Sequence, residues 1–405
     1  MLDVLIMTLT VSYKYILMDT KSNYPALYYA ILAAIVALCI VKIYGRMSSR
    51  TMPSVGDFKA SVLVVFFFVA FLTVLSKDAN FILPFLITAA FAYDRVESLI
   101  RAFFIGSVVS YLVHLVLFWS GVLTDNALYR IEGSGEILMR SSLGFDHPNS
   151  AFRFFVPIVL AAYLLCHTHA EKLALYVFSL LSMAYLYRTS NTRTGAALVC
   201  GFLLLSLLDV RKLQKHKVIL RLTRYGYFIL AAFSLFLAYG AGRDPYHPVT
   251  LLLTGRPYIW HSYLTWTGVP LLGAGGVPPL PEEFVLAQYG QSVDNYFVYL
   301  LLGFGWICFV LLGLLYSRMF RKMEQAGRME LIFVSAVMLL YGLTEEANMI
   351  PSTNFSLVFL FAPFFNANYF QRDGETASAF APAAFPIGRH APAFGGETNC
   401  SVAEK

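Results

Sequence analysis

The chain has 405 residues, of which 58% are hydrophobic and only 13% charged, and its formal net charge is +6 at pH 7. This composition excludes an ordinary water-soluble globule and predicts a polytopic protein of the lipid bilayer with no nucleic-acid partner. The five cysteines have neither the spacing of a disulfide framework nor that of metal ligands, so the sequence predicts no metal site and no cofactor.

Twelve apolar runs follow one another along the chain. The first lacks the basic region and the small-residue cleavage site of a signal peptide, so we expect it to remain as a helix. Several runs fall short of the ~20 residues of a typical span, but we predict an all-α, polytopic fold of about twelve transmembrane helices. The runs are residues 2–18, 26–44, 61–76, 81–93, 102–123, 150–166, 173–187, 195–208, 225–239, 296–316, 331–343 and 355–369.

The loops between these runs differ in charge from one face to the other. One face collects most of the basic loop residues, so the positive-inside rule makes it the cytoplasmic side. Both termini are then cytoplasmic, and the polar insert at 242–295 is external. We expect a transmembrane domain at 1–370 and a flexible cytoplasmic tail at 371–405, which is rich in Ala, Pro, Gly and Phe. The basic face holds Lys42, Arg46, Arg50, Lys59, Arg95, Arg101, Lys172, Arg211, Lys212, Lys215, Lys217, Arg221, Arg224, Arg318, Arg321, Lys322 and Arg328.

The external insert combines arginines, aromatic residues and glycines in one long polar interval. Pro257 suits the first turn of a helix, which would put Arg256 at a helix N-terminus, where anions bind. Four apolar residues after Pro257 share one helical face, as in a helix that lies in the membrane interface. The alternative is an ordinary surface loop with such a helix. The four residues are Ile259, Trp260, Tyr263 and Leu264.

External positive charge comes from arginine, since no external segment between residues 79 and 295 contains a lysine. Guanidinium groups bind phosphate through two hydrogen bonds at once, which a lysine ammonium does not do. The alternative is that each arginine pairs with a nearby carboxylate. The arginines are Arg130, Arg140, Arg153, Arg188, Arg193, Arg243 and Arg256, and the nearby carboxylates are Asp125, Glu132, Glu136, Asp146 and Asp244.

Two segments near the external membrane surface carry candidate binding residues. One is a tight turn that contains Arg188 and Arg193 and no acidic residue, so an anion from outside the protein is the economical partner. The other is the hexapeptide GFDHPN at 144–149, which contains His147 and Asn149 and is followed by Arg153. A lone histidine is more often structural than catalytic.

Three external acids are candidates for a general base. Asp294 directly precedes a predicted span, and Glu345 and Glu346 form a carboxylate pair at the end of another. Partial burial raises a carboxyl pKa toward neutrality, which suits proton abstraction. The alternative is that these acids are ion-pair partners of arginines such as Arg188 or Arg193.

Taken in order, these segments resemble the integral-membrane polysaccharide polymerases of the Wzy type and their relatives, the O-antigen ligases. Each motif is weak alone, and their order and spacing from His147 to Asn354 carry the resemblance. The motifs are GFDHPN at 144–149, TRTG at 192–195, Gly255-Arg256 with Trp260, GAG at 273–275, VDN at 293–295, and Glu345.

The resemblance implies a metal-independent, inverting glycosyl transfer from an undecaprenyl-pyrophosphate-linked oligosaccharide, with a flippase and a chain-length regulator as further partners. Arg193 and Arg256 match the positions that bind the pyrophosphate. Ligases typically carry His-Asn where this chain has Asp294-Asn295, which favours the polymerase branch. We assign catalytic roles to Arg193, Arg256, Asp294, Glu345 and His147, and substrate binding to Arg188, Arg153, Asn149, Trp260 and Asn295.

Independent features of the sequence fit a lipid-linked donor. The chain has no Asp-x-Asp pair and no Gly-rich phosphate loop to bind a nucleotide sugar with a metal. Two functions remain as alternatives: an O-antigen ligase, which differs in its acceptor, and a flippase, which would place its site near the membrane midplane between two related halves. A purely structural role is the least favoured.

Overall fold

The computed structural model describes residues 1–15, 25–48, 60–76, 81–131, 137–273, 275–281, 292–346 and 350–371. Within these ranges the fold is helical apart from one short β-hairpin. Met1–Phe370 form one compact unit. The tail predicted at 371–405 lies, except for Gln371, outside the described residues.

Within the described residues, each of the twelve apolar runs overlaps one α-helix, and three shorter α-helices and the 3-10 helix Val210–Lys215 lie outside the runs. The helices are α1 (Leu2–Tyr15), α2 (Pro25–Ser48), α3 (Ala60–Ser76), α4 (Ile82–Phe91), α5 (Val96–Trp119), α6 (Ser150–Leu165), α7 (His169–Ser190), α8 (Arg193–Ser206), α9 (Lys217–Arg224), α10 (Gly226–Gly240), α11 (Pro248–Leu252), α12 (Arg256–Thr267), α13 (Tyr296–Gln325), α14 (Met329–Tyr341) and α15 (Leu357–Phe365).

Length and composition identify candidate membrane spans among these helices. In the described part of the chain, three helices are long and apolar enough to cross a membrane: Ala26–Ser48 within α2, α5 and α13. A fourth candidate is the pair α9 and α10, which is bent by 68°. An all-α membrane protein fits this architecture, but several other apolar helices have only 10–17 residues. The number of about twelve spans therefore stays a prediction.

The core lies between the apolar faces of these helices. Helix α1 packs along α5, and α15 packs against α4. The α1–α5 contact is backbone to backbone, because a Cβ atom on Gly106 would lie 2.7 Å from the amide nitrogen of Thr8. Close approach of this kind needs glycine, and it fixes the two helices relative to each other.

The helices define two ends of the molecule. At one end the amide of Tyr296, which begins α13, donates to the carbonyl of Gly342 just after α14 (2.7 Å). We call this the site end, since Arg140, Arg153 and Arg256 lie there. At the opposite end, which we call the paired end, ion pairs join the helix termini. These pairs are Lys42–Asp3, Lys42–Asp94, Arg46–Asp94, Arg224–Glu324 and Arg328–Glu97.

Helix α13 is broken at Gly305, which has φ 76° and ψ 176°. The amides of Trp306 and Ile307 turn away from the helix and donate to the carbonyls of Pro270 (3.1 Å) and Leu271 (3.2 Å). The insert at 242–295 therefore supplies the acceptors that the break requires. Glycine is needed on the insert as well, because a Cβ on Gly275 would lie 1.9 Å from the carbonyl oxygen of Leu75.

The described residues fit the all-α prediction, with almost no strand. The segment between α5 and α6 contains one short hairpin of the antiparallel strands β1 (Leu128–Ile131) and β2 (Ile137–Arg140). Short runs rich in Leu, Ile and Tyr suit strands, and the two runs pair in register across a short connection. The hairpin matters for the site because Arg140 is the last residue of β2.

Candidate functional site

A strained turn places Arg256 at the start of α12. Thr254 has φ 55° and Gly255 has φ 82°, so two successive residues lie in the left-handed region. This conformation costs on the order of 1–3 kcal/mol for a β-branched residue such as Thr254. The helix then begins at Arg256, followed by Pro257, as the sequence predicts. Arg256 is only 8% exposed, so its charge is held inside the protein at a helix N-terminus.

Helix α12 buries its apolar face against α10 and α13. The four residues predicted to share that face, Ile259, Trp260, Tyr263 and Leu264, are all buried. Trp260 was expected to bind substrate, but its indole N–H donates to the carbonyl of Val293 (2.6 Å). This bond ties α12 to the residue before Asp294, so Trp260 helps to position the site.

Asp294 has φ 42°, a left-handed conformation that aspartate tolerates better than most residues. Its Oδ2 atom lies 3.6 Å from Nη2 of Arg256. Its Oδ1 atom accepts a hydrogen bond from the hydroxyl of Ser292 (2.6 Å). The ion pair with Arg256 is longer than a good charge-assisted hydrogen bond, which leaves the guanidinium open to a better acceptor.

Asn295 is fully buried and caps α13. Its Oδ1 accepts from the amides of Phe297 (3.0 Å) and Val298 (2.9 Å). Its Nδ2 donates to the hydroxyl of Ser234 (3.0 Å) and to the carbonyl of Leu343 (3.1 Å). These bonds join α10, α13 and the end of α14, so the side chain predicted to bind substrate here holds the site together.

A second ion pair lies beside the first. Nε of Arg153, on α6, donates to Oε2 of Glu345 (2.9 Å). Glu345 is 1% exposed, and its other oxygen, Oε1, has no hydrogen-bond partner among the described residues. Burial raises the pKa of the Glu345 carboxyl above its ordinary value, against the opposing effect of Arg153. The Tyr341 hydroxyl is likewise buried without a partner in the described part of the chain.

The charged groups that act on the Tyr341 hydroxyl show that the two ion pairs form one cluster. Tyr341 lies within reach of Glu345, Arg153, Arg256 and Asp294 together. A buried carboxylate oxygen and a buried hydroxyl that face this cluster without partners are costly, so their presence points to a bound polar molecule or ion.

His147 lies at the edge of the same cluster. Its Nδ1 accepts from the amide of Asn149 (3.1 Å), which fixes the ring. Burial lowers the pKa of His147 below its ordinary value, although the charge of Asp294 acts in the opposite direction. The imidazole is therefore neutral at pH 7, and its Nδ1 atom is already used as an acceptor.

Arg140 joins the hairpin to two helices. Its Nε donates to the carbonyl of Ser190 (2.8 Å), and its Nη2 donates to Oδ1 of Asn149 (2.8 Å). The same Nη2 lies 3.4 Å from the hydroxyl of Thr192. We named Arg140 among the external arginines but gave it no role. Its contacts are 9 to 52 residues away in sequence, so no local pattern could have predicted them.

Arg188 and Arg193 flank the turn that Arg140 binds. Both are exposed, Arg188 in the last turn of α7 and Arg193 as the first residue of α8. The structure thus brings together His147, Arg153, Arg256, Asp294 and Glu345. It places these two arginines at the neighbouring surface turn, where the roles assigned to them stay predictions.

Of the carboxylates nearest in sequence to the arginines, Glu132 and Glu136 lie outside the described residues, and Asp125 and Asp146 bind other groups. Asp125 accepts from the amide and hydroxyl of Ser142, and Asp146 accepts from the hydroxyl of Ser150. The idea that the external arginines pair with carboxylates thus holds for Arg153 and Arg256, but with partners that lie far along the chain or at the end of the insert.

Glu346 completes the cluster. Burial and the charges of Asp294 and Glu345 raise the pKa of its carboxyl from an ordinary 4.5 to about 7, against the effect of Arg153. This carboxyl therefore changes charge near neutral pH.

An apolar cavity of about 550 Å³ lies between α5, α6 and α7. Leu181 and Phe178, which line it, are 69% and 58% exposed, so the cavity is open along one side. Tyr111 also lines it, and the Tyr111 hydroxyl donates to the carbonyl of Ala151 (3.1 Å), two residues before Arg153. The cavity therefore reaches the site end.

Comparison with protein-family models, curated proteins and solved structures finds no match to this chain. Function must therefore be inferred from the site itself. The site offers two buried arginines on separate helices, three carboxylates, unsatisfied buried oxygens and an adjoining apolar cavity. This combination suits a substrate with an anionic group, hydroxyl groups and an apolar chain.

Proposed function

We propose that the protein polymerises undecaprenyl-pyrophosphate-linked oligosaccharide repeat units into a surface polysaccharide, by metal-independent glycosyl transfer on the external face of a bacterial membrane. The observation that carries the proposal is the convergence of Arg153 and Arg256 with unsatisfied buried oxygens beside an apolar cavity. The resemblance of the ordered motifs to the Wzy-type polymerases supports the same function. A flippase and a chain-length regulator are proposed partners.

The two arginines differ in how firmly they are held. Arg153 makes a 2.9 Å hydrogen bond to Glu345, whereas Arg256 lies 3.6 Å from Asp294. A pyrophosphate offers a more highly charged partner than one carboxylate, so it would replace Asp294 at Arg256. Stabilising the charge that develops on the leaving pyrophosphate is the electrostatic contribution that such a transfer needs. Each charge-assisted hydrogen bond contributes roughly 1.5–3 kcal/mol net.

The cavity supports a donor that is carried on a lipid. Its lining is almost wholly apolar and its open side exposes Phe178 and Leu181. An isoprenoid chain that lay there would bury its own surface, at about 25 cal/mol for each Å² removed from water. Its pyrophosphate would then lie at the level of Ala151 and Arg153, next to Arg256.

The first experiment deletes the gene in its native host and separates the surface glycan by size. Accumulated single lipid-linked repeats without polymer are expected of a polymerase. Polymer that is not attached to its final acceptor would instead indicate a ligase, and repeats retained on the cytoplasmic side would indicate a flippase. The lipid-linked repeats from this deletion strain then serve as the substrate for the purified protein in proteoliposomes.

The second experiment tests Arg256 in those proteoliposomes. We expect Arg256→Ala to abolish polymer formation while the protein still inserts and accumulates. Arg256→Lys should restore little, because an ammonium cannot form the paired hydrogen bonds of a guanidinium. Arg221→Ala, on the exposed surface of α9, is the matched control and should leave polymer formation unchanged. Near-normal polymer from both Arg256 variants would exclude the proposed role.

A flippase is a second candidate, because one observation favours it. Broken helices are typical of transporters, and α13 is broken at Gly305. The proteoliposomes discriminate the two functions: movement of labelled lipid-linked repeats between leaflets without an increase in chain length would indicate a flippase.

A further inference from the structure

The cluster contains three carboxylates, and two of them already have cationic partners. Glu345 accepts from Arg153 at 2.9 Å, and it is almost fully buried. Asp294 lies 3.6 Å from Arg256 and also accepts from the hydroxyl of Ser292. These contacts give both groups a positioning role, since each holds an arginine at the site.

Glu346 is different. It is only partly buried, and within the described ranges it has neither an ion pair nor a hydrogen bond. The charged and titratable groups that face it are Asp294 at the end of the insert, Arg153 on α6, its neighbour Glu345, and Tyr263 on α12. Two of these are like charges, and Arg153, whose charge also acts on Glu346, forms its ion pair with Glu345.

We propose that Glu346 is the catalytic base that accepts the proton of the incoming sugar hydroxyl. The assignment rests on the proposed polymerase function and chooses one of the four candidate bases that the sequence offers, Asp294, Glu345, Glu346 and His147. The other three groups are less suited. Glu345 is held by Arg153, and Nδ1 of His147 accepts from the amide of Asn149. Asp294 lies at Arg256, where the proposed pyrophosphate binds and leaves, and it accepts from the hydroxyl of Ser292.

The acceptor hydroxyl oxygen forms a bond to the anomeric carbon of the donor glycan. The bond between that carbon and the pyrophosphate oxygen breaks, and its electron pair leaves with the pyrophosphate. The hydroxyl proton passes to the Glu346 carboxylate, which later releases it to water. A positioned base contributes about 100-fold to 10,000-fold to such a step.

The surroundings of Glu346 set the pH at which it works. Burial and two like charges raise its pKa to about 7, so it is half protonated near neutral pH. The rate should therefore rise with pH through about 7 as the carboxylate forms. A higher pKa makes the carboxylate a stronger base, but it also lowers the fraction that is deprotonated at the working pH. A pKa near the working pH is the best compromise between the two.

The test is single-turnover transfer in proteoliposomes, with lipid-linked repeats from the deletion strain as donor and acceptor. Glu346→Gln keeps the size of the side chain and removes the base. We expect it to bind the donor normally, to lose at least about 100-fold in turnover, and to lose the rise in rate near neutral pH. Glu346→Asp should recover part of the rate. Glu330→Gln, at the other end of α14, is the matched control and should behave as the parent.

The variant Glu345→Gln shows how loss of a positioning carboxylate differs from loss of the base. Its amide oxygen can still accept from Arg153, so we expect weaker donor binding but a retained rise in rate near pH 7. If Glu346→Gln turns over within about three-fold of an active parent, or keeps its pH profile, Glu346 is not the base. If the parent itself binds the lipid-linked repeats but never lengthens them, the proposed polymerase function is wrong, and this assignment fails with it.

Discussion

The two ends of the molecule use charged residues in different ways. At the paired end, the ion pairs that join helix termini are short, and Lys42, Arg46, Arg224 and Arg328 each have a close carboxylate, whereas the exposed pair Lys212–Asp209 is 3.7 Å long. At the site end, one pair is 2.9 Å long and the other 3.6 Å, and a carboxylate oxygen of Glu345 is buried without a partner in the described part. Short pairs hold helix termini together, whereas a long pair can exchange its partner for a ligand. The short pairs are Lys42–Asp3 and Arg328–Glu97 at 2.6 Å and Arg224–Glu324 at 2.5 Å.

The largest difference between the two ends should be in the free energy of unfolding that is lost when one arginine is removed from each. Arg153→Ala leaves the Glu345 side chain, which is 2% exposed, without its cation. The free energy of unfolding should fall by about 3–5 kcal/mol. Arg328→Ala leaves Glu97, which is 44% exposed, to be solvated by water, so the loss should be about 1 kcal/mol or less. Thermal unfolding of the purified protein in detergent measures both.

Replacing both Arg153 and Glu345 tests whether this buried ion pair contributes to stability or to function. The double variant Arg153→Leu, Glu345→Leu should recover most of the lost stability, since apolar residues often replace a buried ion pair without cost. Polymer formation should remain absent. A stable double variant that still makes polymer would show that the pair serves the fold alone.

A smaller difference in stability is expected when the N-cap side chain of one helix at each of two places, α13 and α7, is removed. Asn295 caps α13 at the site end and also donates to Ser234 and Leu343, whereas Thr168 caps the exposed start of α7. Thr168→Ala should cost about 1 kcal/mol. Asn295→Ala should cost about 2–3 kcal/mol, because it also leaves buried acceptors unsatisfied. Equal losses in chemical unfolding would show that the additional bonds of Asn295 contribute little.

The pH dependence of stability should reveal Glu346. Its pKa is raised from 4.5 to about 7 in the folded protein, so folding favours the protonated carboxyl. That contribution is complete below pH 4.5 and is lost as the pH rises through about 7. Glu346→Gln should therefore match the parent at low pH and exceed it by about 1–3 kcal/mol above pH 8. A constant difference between the two proteins across this range would contradict the assignment.

The smallest expected effect is that of a chelator. In the proposed mechanism arginines supply the positive charge for the leaving pyrophosphate, so transfer should survive EDTA with less than a roughly two-fold change. Turnover in EDTA-treated proteoliposomes, compared with untreated ones, measures this. Activity that disappears with EDTA and returns with magnesium or manganese would show that the arginines do not act alone.

Local sequence predicted much of the fold and part of the site. Apolar runs located the helices because burial of apolar side chains dominates their stability, and Pro257 located the start of α12. The pairing of Arg153 with Glu345 joins residues 192 positions apart, so it depends on how α6 packs near the end of α14. The hairpin that carries Arg140 and the break at Gly305 also depend on tertiary contacts. These were not predictable from any short pattern.

The broken helix has a consequence for biosynthesis. The amides of Trp306 and Ile307 have left α13, and an amide in apolar surroundings is costly unless a carbonyl of the protein receives it. Their acceptors, Pro270 and Leu271, lie earlier in the chain, so the ribosome makes the acceptors before the helix that needs them. A circularly permuted chain that starts at Tyr296 would reverse this order. Its α13 would first have to form as a straight helix, then break after the insert had been synthesised.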